Sequence, residues 1–156
     1  MSVSQGTKVW TVALAAVAVI STCQPSGPGV PLTGATGVLG DTEALLAGTW
    51  IREFDKDGAA IHHVLALLPD HRFRETVRVT EASGHSARYM HEGTWLYDGT
   101  NLKRRYTLMN GRPPSRLNLP FATFQITFDS PRTFRGVDHI HGNVVEYRRV
   151  ADDTQP

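Results

Sequence analysis

The chain has 156 residues, 40% apolar and 20% charged, with 14 Gly, 9 Pro and one Cys. That length suits one domain and excludes a multidomain enzyme; the apolar share excludes a wholly disordered chain, and a single Cys excludes an intrachain disulfide framework or a Cys-rich zinc fold. Lys and Arg number 16 against 15 Asp and Glu, a net charge of +1, which gives no strong basic field for nucleic acid.

Residues 9–20 are a mostly apolar run after a short polar start whose one cation is Lys8, and no acid occurs before Asp41. Twelve residues rise only about 18 Å as a helix, too little for a bilayer core of roughly 30 Å. A cation, a short apolar run and small residues Ser21 and Thr22 together read as a secretory signal over 1–22. The run ends in Ile20-Ser21-Thr22-Cys23, which resembles the lipobox of bacterial lipoproteins. The resemblance implies that Cys23 becomes the lipidated N-terminus. Gln24 after it, where an Asp would favour inner-membrane retention, implies the periplasmic side of the outer membrane; plain secretion is the alternative. Removing residues 1–22 removes Lys8 and no acid, so the remaining chain balances at zero.

From 23 to 40 the chain is Pro, Gly, Ser and Thr with scattered aliphatics, and no helical or strand period survives. It reads as a flexible tether spanning roughly 20 Å. Residues 41–47 have the makings of one or two helical turns, with Asp41 and Glu43 at the positive end and Leu45 and Leu46 toward the domain.

Eight strands follow, at 48–54, 61–68, 72–80, 87–97, 101–109, 121–128, 132–137 and 143–150, with 151–156 a disordered tail. Asp98-Gly99 is the strongest turn signal, since Gly tolerates φ > 0. The third strand alternates Phe73, Val77 and Val79 against Arg72, Arg74, Thr76, Arg78 and Thr80. The sixth alternates Phe124, Ile126 and Phe128 against Thr123, Gln125 and Thr127. Each strand therefore has one dry and one wet face. Short connections favour sequential antiparallel pairing, and eight such strands close into an up-and-down barrel spanning 41–150. A two-sheet sandwich gives the same alternation. The barrel is expected because it leaves no open edges.

Gly48-Thr49-Trp50 opens the first strand just after the helical turn, and Arg148 and Arg149 lie in the last. Pro69-Asp70-His71-Arg72-Phe73, Gly93-Thr94-Trp95, Asp98-Gly99 and Glu146-Tyr147-Arg148-Arg149-Val150 complete the pattern. Over about residues 44–150 the chain resembles small bacterial lipocalin-like (calycin-type) barrels, in which a Gly-x-Trp on the first strand packs near an Arg from the barrel's end. The resemblance implies a small, often extracytoplasmic barrel and carries no catalytic residue. Gly-Thr-Trp occurs twice, at 48–50 and 93–95, once in each half.

The anomaly is charge on faces that otherwise read as interior. Glu75 shares a face with Phe73 and Val77, His91 with Trp95, Arg104 with Leu102, Tyr106 and Leu108, and Arg52 with Trp50 and Phe54. A lone ionised group in a dry interior must pair, neutralise or meet a ligand. Two readings stand. In one, Arg52, Glu75, His91, Trp95, Arg104 and Tyr106 line a cavity for a small, partly apolar or amphiphilic ligand, with the arginines on a carboxylate and the aromatics stacked on it. In the other, a Glu–Arg pair sits inside a filled barrel and the protein is a structural or protein-interaction lipoprotein.

His139-Ile140-His141 with Asp138 has metal-ligand chemistry, but it falls between strands and lacks a third ligand, so turn histidines are expected and no metal site is assigned. The loop 110–120 is either a lid or a cover lying on the wall with Leu117 and Leu119. Gly84-His85-Ser86 lacks the Gly that a nucleophile elbow needs, and there is no phosphate loop or His-Glu-x-x-His helix. The sequence thus points to a non-enzymatic exported binding protein with no cofactor and no nucleic-acid partner.

Overall fold

A computed structural model describes residues 41–116 and 120–156. The export segment, Cys23, the tether and residues 117–119 of the long loop lie outside the described residues. A short helix, α1 (41–46), precedes eight strands: β1 (Gly48–Lys56), β2 (Ala59–Leu67), β3 (Arg72–Thr80), β4 (Ser86–Tyr97), β5 (Asn101–Met109), β6 (Phe121–Ser130), β7 (Thr133–Asp138) and β8 (Asn143–Val150). Each pairs antiparallel with its sequence neighbours, and β8 returns to β1, so the sheet is a closed barrel. The sandwich alternative is excluded by that last pairing.

The first hairpin is tighter than the sequence suggested. β1 runs on to Lys56 and β2 starts at Ala59, because Asp57 and Gly58 make a two-residue turn with φ of 53° and 80°. Positive φ at both central positions is the twist that suits a two-residue hairpin. A second departure lies between β4 and β5. Gly93 pairs with Tyr106 but Glu92 pairs with Leu108, so Thr107 is an extra residue. This bulge turns Leu108 onto the outer wall beside Glu92 and Met90, away from the face of Arg104 where its spacing had put it. A Cβ on Gly93 would lie 2.0 Å from the Arg105 carbonyl oxygen, so the close approach of β4 and β5 here requires glycine.

One end of the barrel is sealed. Leu46 of α1 is fully buried over Trp50, whose indole N–H donates to the Leu46 carbonyl at 2.8 Å. Leu45 is 38% exposed, so only one of the two leucines faces the barrel. Arg149 of β8 donates to the carbonyls of Ala47, at 3.0 Å, and of Leu45, with its guanidinium carbon 4.3 Å from the centre of the Trp50 ring. Gly48 has φ of +135°, and a Cβ there would sit 2.3 Å from an Arg149 nitrogen. The first Gly-Thr-Trp thus has a mechanical reason: the glycine admits the arginine and the tryptophan lies under it. The second copy works differently. Trp95 donates its indole N–H to the Leu68 carbonyl at 3.0 Å and packs by His71.

Above the seal the core is aromatic and aliphatic. Phe134 meets Trp50 edge-on at 4.7 Å and stacks on Tyr147 at 5.1 Å, with Phe73, Leu65, Leu67 and Leu102 buried around them. Each such side chain contributes about 1.5–3 kcal/mol on burial. Residues 151–156, expected to be a disordered tail, fold back along the outer wall. Thr49 donates to Asp152 at 3.0 Å, Arg88 donates to Gln155 at 2.7 Å, and Pro156 is buried.

Candidate functional site

The strand register decides which interior side chains meet. Glu75 on β3 stands opposite Leu65 of β2 and His91 of β4; one pair further from the seal, Val77 stands opposite His63 of β2, which faces Arg52 of β1. Arg104 and Tyr106 follow on β5. The barrel's curvature then brings Glu75, His63, Arg104 and Tyr106 together across the interior, where Glu75, His63 and Arg104 are all buried.

Glu75 is the centre of this cluster. Arg104 donates to one carboxylate oxygen at 2.5 Å and the Tyr106 hydroxyl donates to the same oxygen at 3.0 Å. His63 Nε2 lies 3.0 Å from the other oxygen, although not in the alignment of a full hydrogen bond. The Tyr147 hydroxyl is 3.4 Å from His63 Nδ1 and lies within the field of the Arg52 cation. Burial works against the Glu75 carboxylate, but the Arg104 guanidinium and the His63 and Tyr106 contacts outweigh it and hold the group well below the ordinary carboxylate range. Burial likewise works against the Arg104 cation, and the facing carboxylate overrides it and holds the guanidinium charged. Burial pushes the hydroxyl of Tyr147 up to about 12 and that of Tyr106 up as well. The guanidinium of Arg104 also lies 5.6 to 5.7 Å from the rings of Phe73, Tyr106 and Phe124.

The six residues singled out from sequence do not form one site. Glu75, Arg104, Tyr106 and His91 converge, with the His91 ring edge-on to Tyr106 at 5.9 Å. Arg52 lies beside them, near enough to Tyr147 to act on its hydroxyl, and its guanidinium lies 3.9 Å over the Phe54 ring. Trp95 is elsewhere, buried near the sealed end by its bond to Leu68. Two participants were missed, His63 and Tyr147. His63 was legible in part, since Ile61, His63, Leu65 and Leu67 alternate on one face of β2. Tyr147 offered only its place on the inward face of β8.

The cluster is not fully satisfied. Arg104 Nε and His91 Nδ1 are buried without a hydrogen-bond partner among the described residues. Such atoms cost about 1–3 kcal/mol each unless something else meets them. An ionised, tightly paired Glu75 is poorly suited to exchanging protons near neutral pH, where a catalytic acid or base needs a pKa close to that value. Its geometry fits a fixed charge.

Further from the seal the interior opens. Arg52, Phe54, Ile61, Val77 and Val79 face inward on β1–β3, yet all are only half-buried, and Tyr89 on β4 is 42% exposed. An open groove of about 570 Å³ runs between the first two hairpins, lined on its inner side by Ala59, Ile61 and Val79. Arg52 makes no ion pair with any of the described residues. Five concavities stand out among the described residues, and none is lined by Glu75, His63 or Arg104.

The histidines between β7 and β8 sit in a turn, as expected. His141 Nδ1 lies 2.6 Å from an Asp138 oxygen, and His139 Nε2 lies 2.6 Å from the Gln125 amide oxygen. Among the described residues no three His, Cys, Asp or Glu side chains gather as a metal site. No family model matches the chain, and no curated protein is detectably similar to it.

Proposed function

We propose that the chain is an exported, lipid-anchored, lipocalin-like protein that holds a small, partly apolar ligand at the open end of its barrel. The observation that carries this reading is the row of inward-facing but half-exposed side chains at that end: Phe54, Ile61, Val77, Val79 and Tyr89 beside the unpaired cation of Arg52. Apolar walls with one polar anchor are the usual anatomy of a small-molecule site. The ligand suited to it has an apolar body and an anionic or strongly accepting end. Glu75 and Arg104, paired with each other, form the floor of this site rather than its anchor.

Fluorescence titration with an apolar carboxylate probe tests the reading. Saturable binding is expected, weakened at least severalfold in Arg52→Gln and abolished in Val77→Trp, which fills the mouth. The Glu75–Arg104 bond itself favours a second reading, a filled barrel serving a structural or protein-interaction role. That reading stands if the probe binds without saturation or binds Val77→Trp equally well.

Export and anchoring rest on the run at 9–20 and on the lipobox-like ending at Cys23. Lipidation predicts that labelled palmitate is incorporated into the wild-type chain and not into Cys23→Ser. Location on the periplasmic face of the outer membrane follows from Gln24 and is checked by fractionating cells that express the chain.

A further inference from the structure

The near-zero charge balance of the chain conceals a sorting of its charges. On the outer wall of β6, β7, β8 and β1 both signs are mixed, with Asp55 and Glu146 among the cations, and Arg135 pairs with Asp129 at 2.7 Å, and Glu53 with His62 at 3.0 Å and Arg148 at 3.6 Å. On the outer wall of β3, β4 and β5 cations outnumber their partners, although Arg72 pairs with Asp70 and Lys103 with Asp98, each at 2.6 Å. Arg74, Arg78, Arg88 and Arg105 are exposed there and make no ion pair with any of the described residues; Glu92 stands among them, and Asp152 of the C-terminal segment lines the same concavity as Arg74. Arg78 and Arg88 are direct cross-strand partners. Like charges so placed destabilise a sheet unless an anion lies over them. The amide of Gln155, which bonds Arg88, is neutral and does not supply one.

Between these cations the same wall exposes large apolar groups. Met90 is 51% exposed and Leu96 49%, and at the start of the adjoining β6 Phe121 is 56% exposed and stands opposite Arg105. The bulge at Thr107 adds Leu108, which with Met90 and Arg88 lines a groove of about 400 Å³. Cations spread over three strands with apolar side chains between them match a plane of anionic headgroups over hydrocarbon, which attracts the first and takes in the second.

We infer that the outer wall of β3, β4 and β5 docks on an anionic lipid surface, with its unpaired arginines on the headgroup phosphates and its exposed apolar side chains at the acyl boundary. The inference is independent of any ligand in the barrel and of any acyl chain on Cys23.

The test is sedimentation of the full chain carrying Cys23→Ser with vesicles of phosphatidylcholine alone or mixed with phosphatidylglycerol. The readout is the ratio of binding to the two vesicles, since whatever residues 1–40 contribute is common to every variant. The ratio is expected to be well above one, to collapse at high salt, and to fall about fivefold per arginine removed in Arg78→Gln/Arg88→Gln. Met90→Ser/Leu108→Ser is expected to weaken binding to the mixed vesicles, and Arg135→Gln on the opposite wall to leave it unchanged. A wild-type ratio near one overturns the inference, as does an equal loss in Arg135→Gln. Loss in the arginine variant without loss in Met90→Ser/Leu108→Ser overturns it in favour of a general anion site, such as an acidic protein would use. Circular dichroism confirms that each surface variant keeps its sheet.

Discussion

The two ends of this barrel bury their inward-facing side chains to very different extents. At the sealed end Trp50, Leu46, Phe134 and Phe73 are between 0 and 1% exposed, the Trp50 indole N–H meets the Leu46 carbonyl, and Arg149 binds the carbonyls of Leu45 and Ala47. At the other end residues of the same chemical type, Phe54, Ile61 and Val79, face inward and remain half-exposed. Between them lies the Glu75 cluster, buried yet charged. The difference teaches that one end of the sheet is given over to packing, while the other leaves apolar side chains open for the binding proposed above. The buried ion pair is the partition between them.

Substitutions along the axis sharpen that contrast. Trp50→Ala removes the largest side chain under the seal and is expected to cost about 3–5 kcal/mol in chemical denaturation. Breaking the partition comes next. Glu75→Leu leaves Arg104 charged, buried and unpaired, and a loss of about 3 kcal/mol or more is expected, whereas Glu75→Leu/Arg104→Met should recover most of it. If the single variant is no worse than the double, the pair is not the fixed element described. Gly48→Ala forces a side chain into both a positive φ and the space of Arg149, and is expected to cost about 1–3 kcal/mol.

The partition should also show in pH. Because the Glu75 carboxyl is held below its ordinary 4.5, its contribution is fully present above that value and is lost as pH falls below it. On the alkaline side Tyr147, pushed up to about 12, stays neutral in the fold, so stability falls as pH rises from 10 toward 12. Thermal melts against pH check both limbs. The smallest expected effect is at the mouth: Phe54→Ala should change stability by less than about 1 kcal/mol while weakening probe binding severalfold. A large loss of stability there would make the two ends alike.

Much of the fold was legible because antiparallel strands with one dry face carry a period of two. β3 and β6 show it cleanly, and the first Gly-Thr-Trp and Arg149 meet as the sequence pattern implied. What period cannot convey is height along the barrel. Trp95 has the right inward parity, but only register places it near the sealed end rather than beside Arg104's carboxylate partner. A bulge erases parity altogether, which is why Leu108 was assigned to the wrong side. His62 and His63 point to opposite faces of β2, but period alone does not show that the inward one, His63, meets a carboxylate on the neighbouring strand. The pairing of Glu75 with Arg104 was anticipated as one of two outcomes; its extension to Tyr147 on β8 needed the barrel to close.

That closure hangs on a short seam. β1 and β2 share nine partnered residues, but β1 meets β8 through only three, with Arg149 reaching back 102 residues to Ala47. No local turn can form this join. It waits until the final strand has emerged, and until then β1 and β7 are raw edges able to template pairing with neighbouring chains. A chain truncated before residue 143 would keep nearly all of its apolar sequence and lose its means of closing on itself, and is expected to aggregate rather than fold.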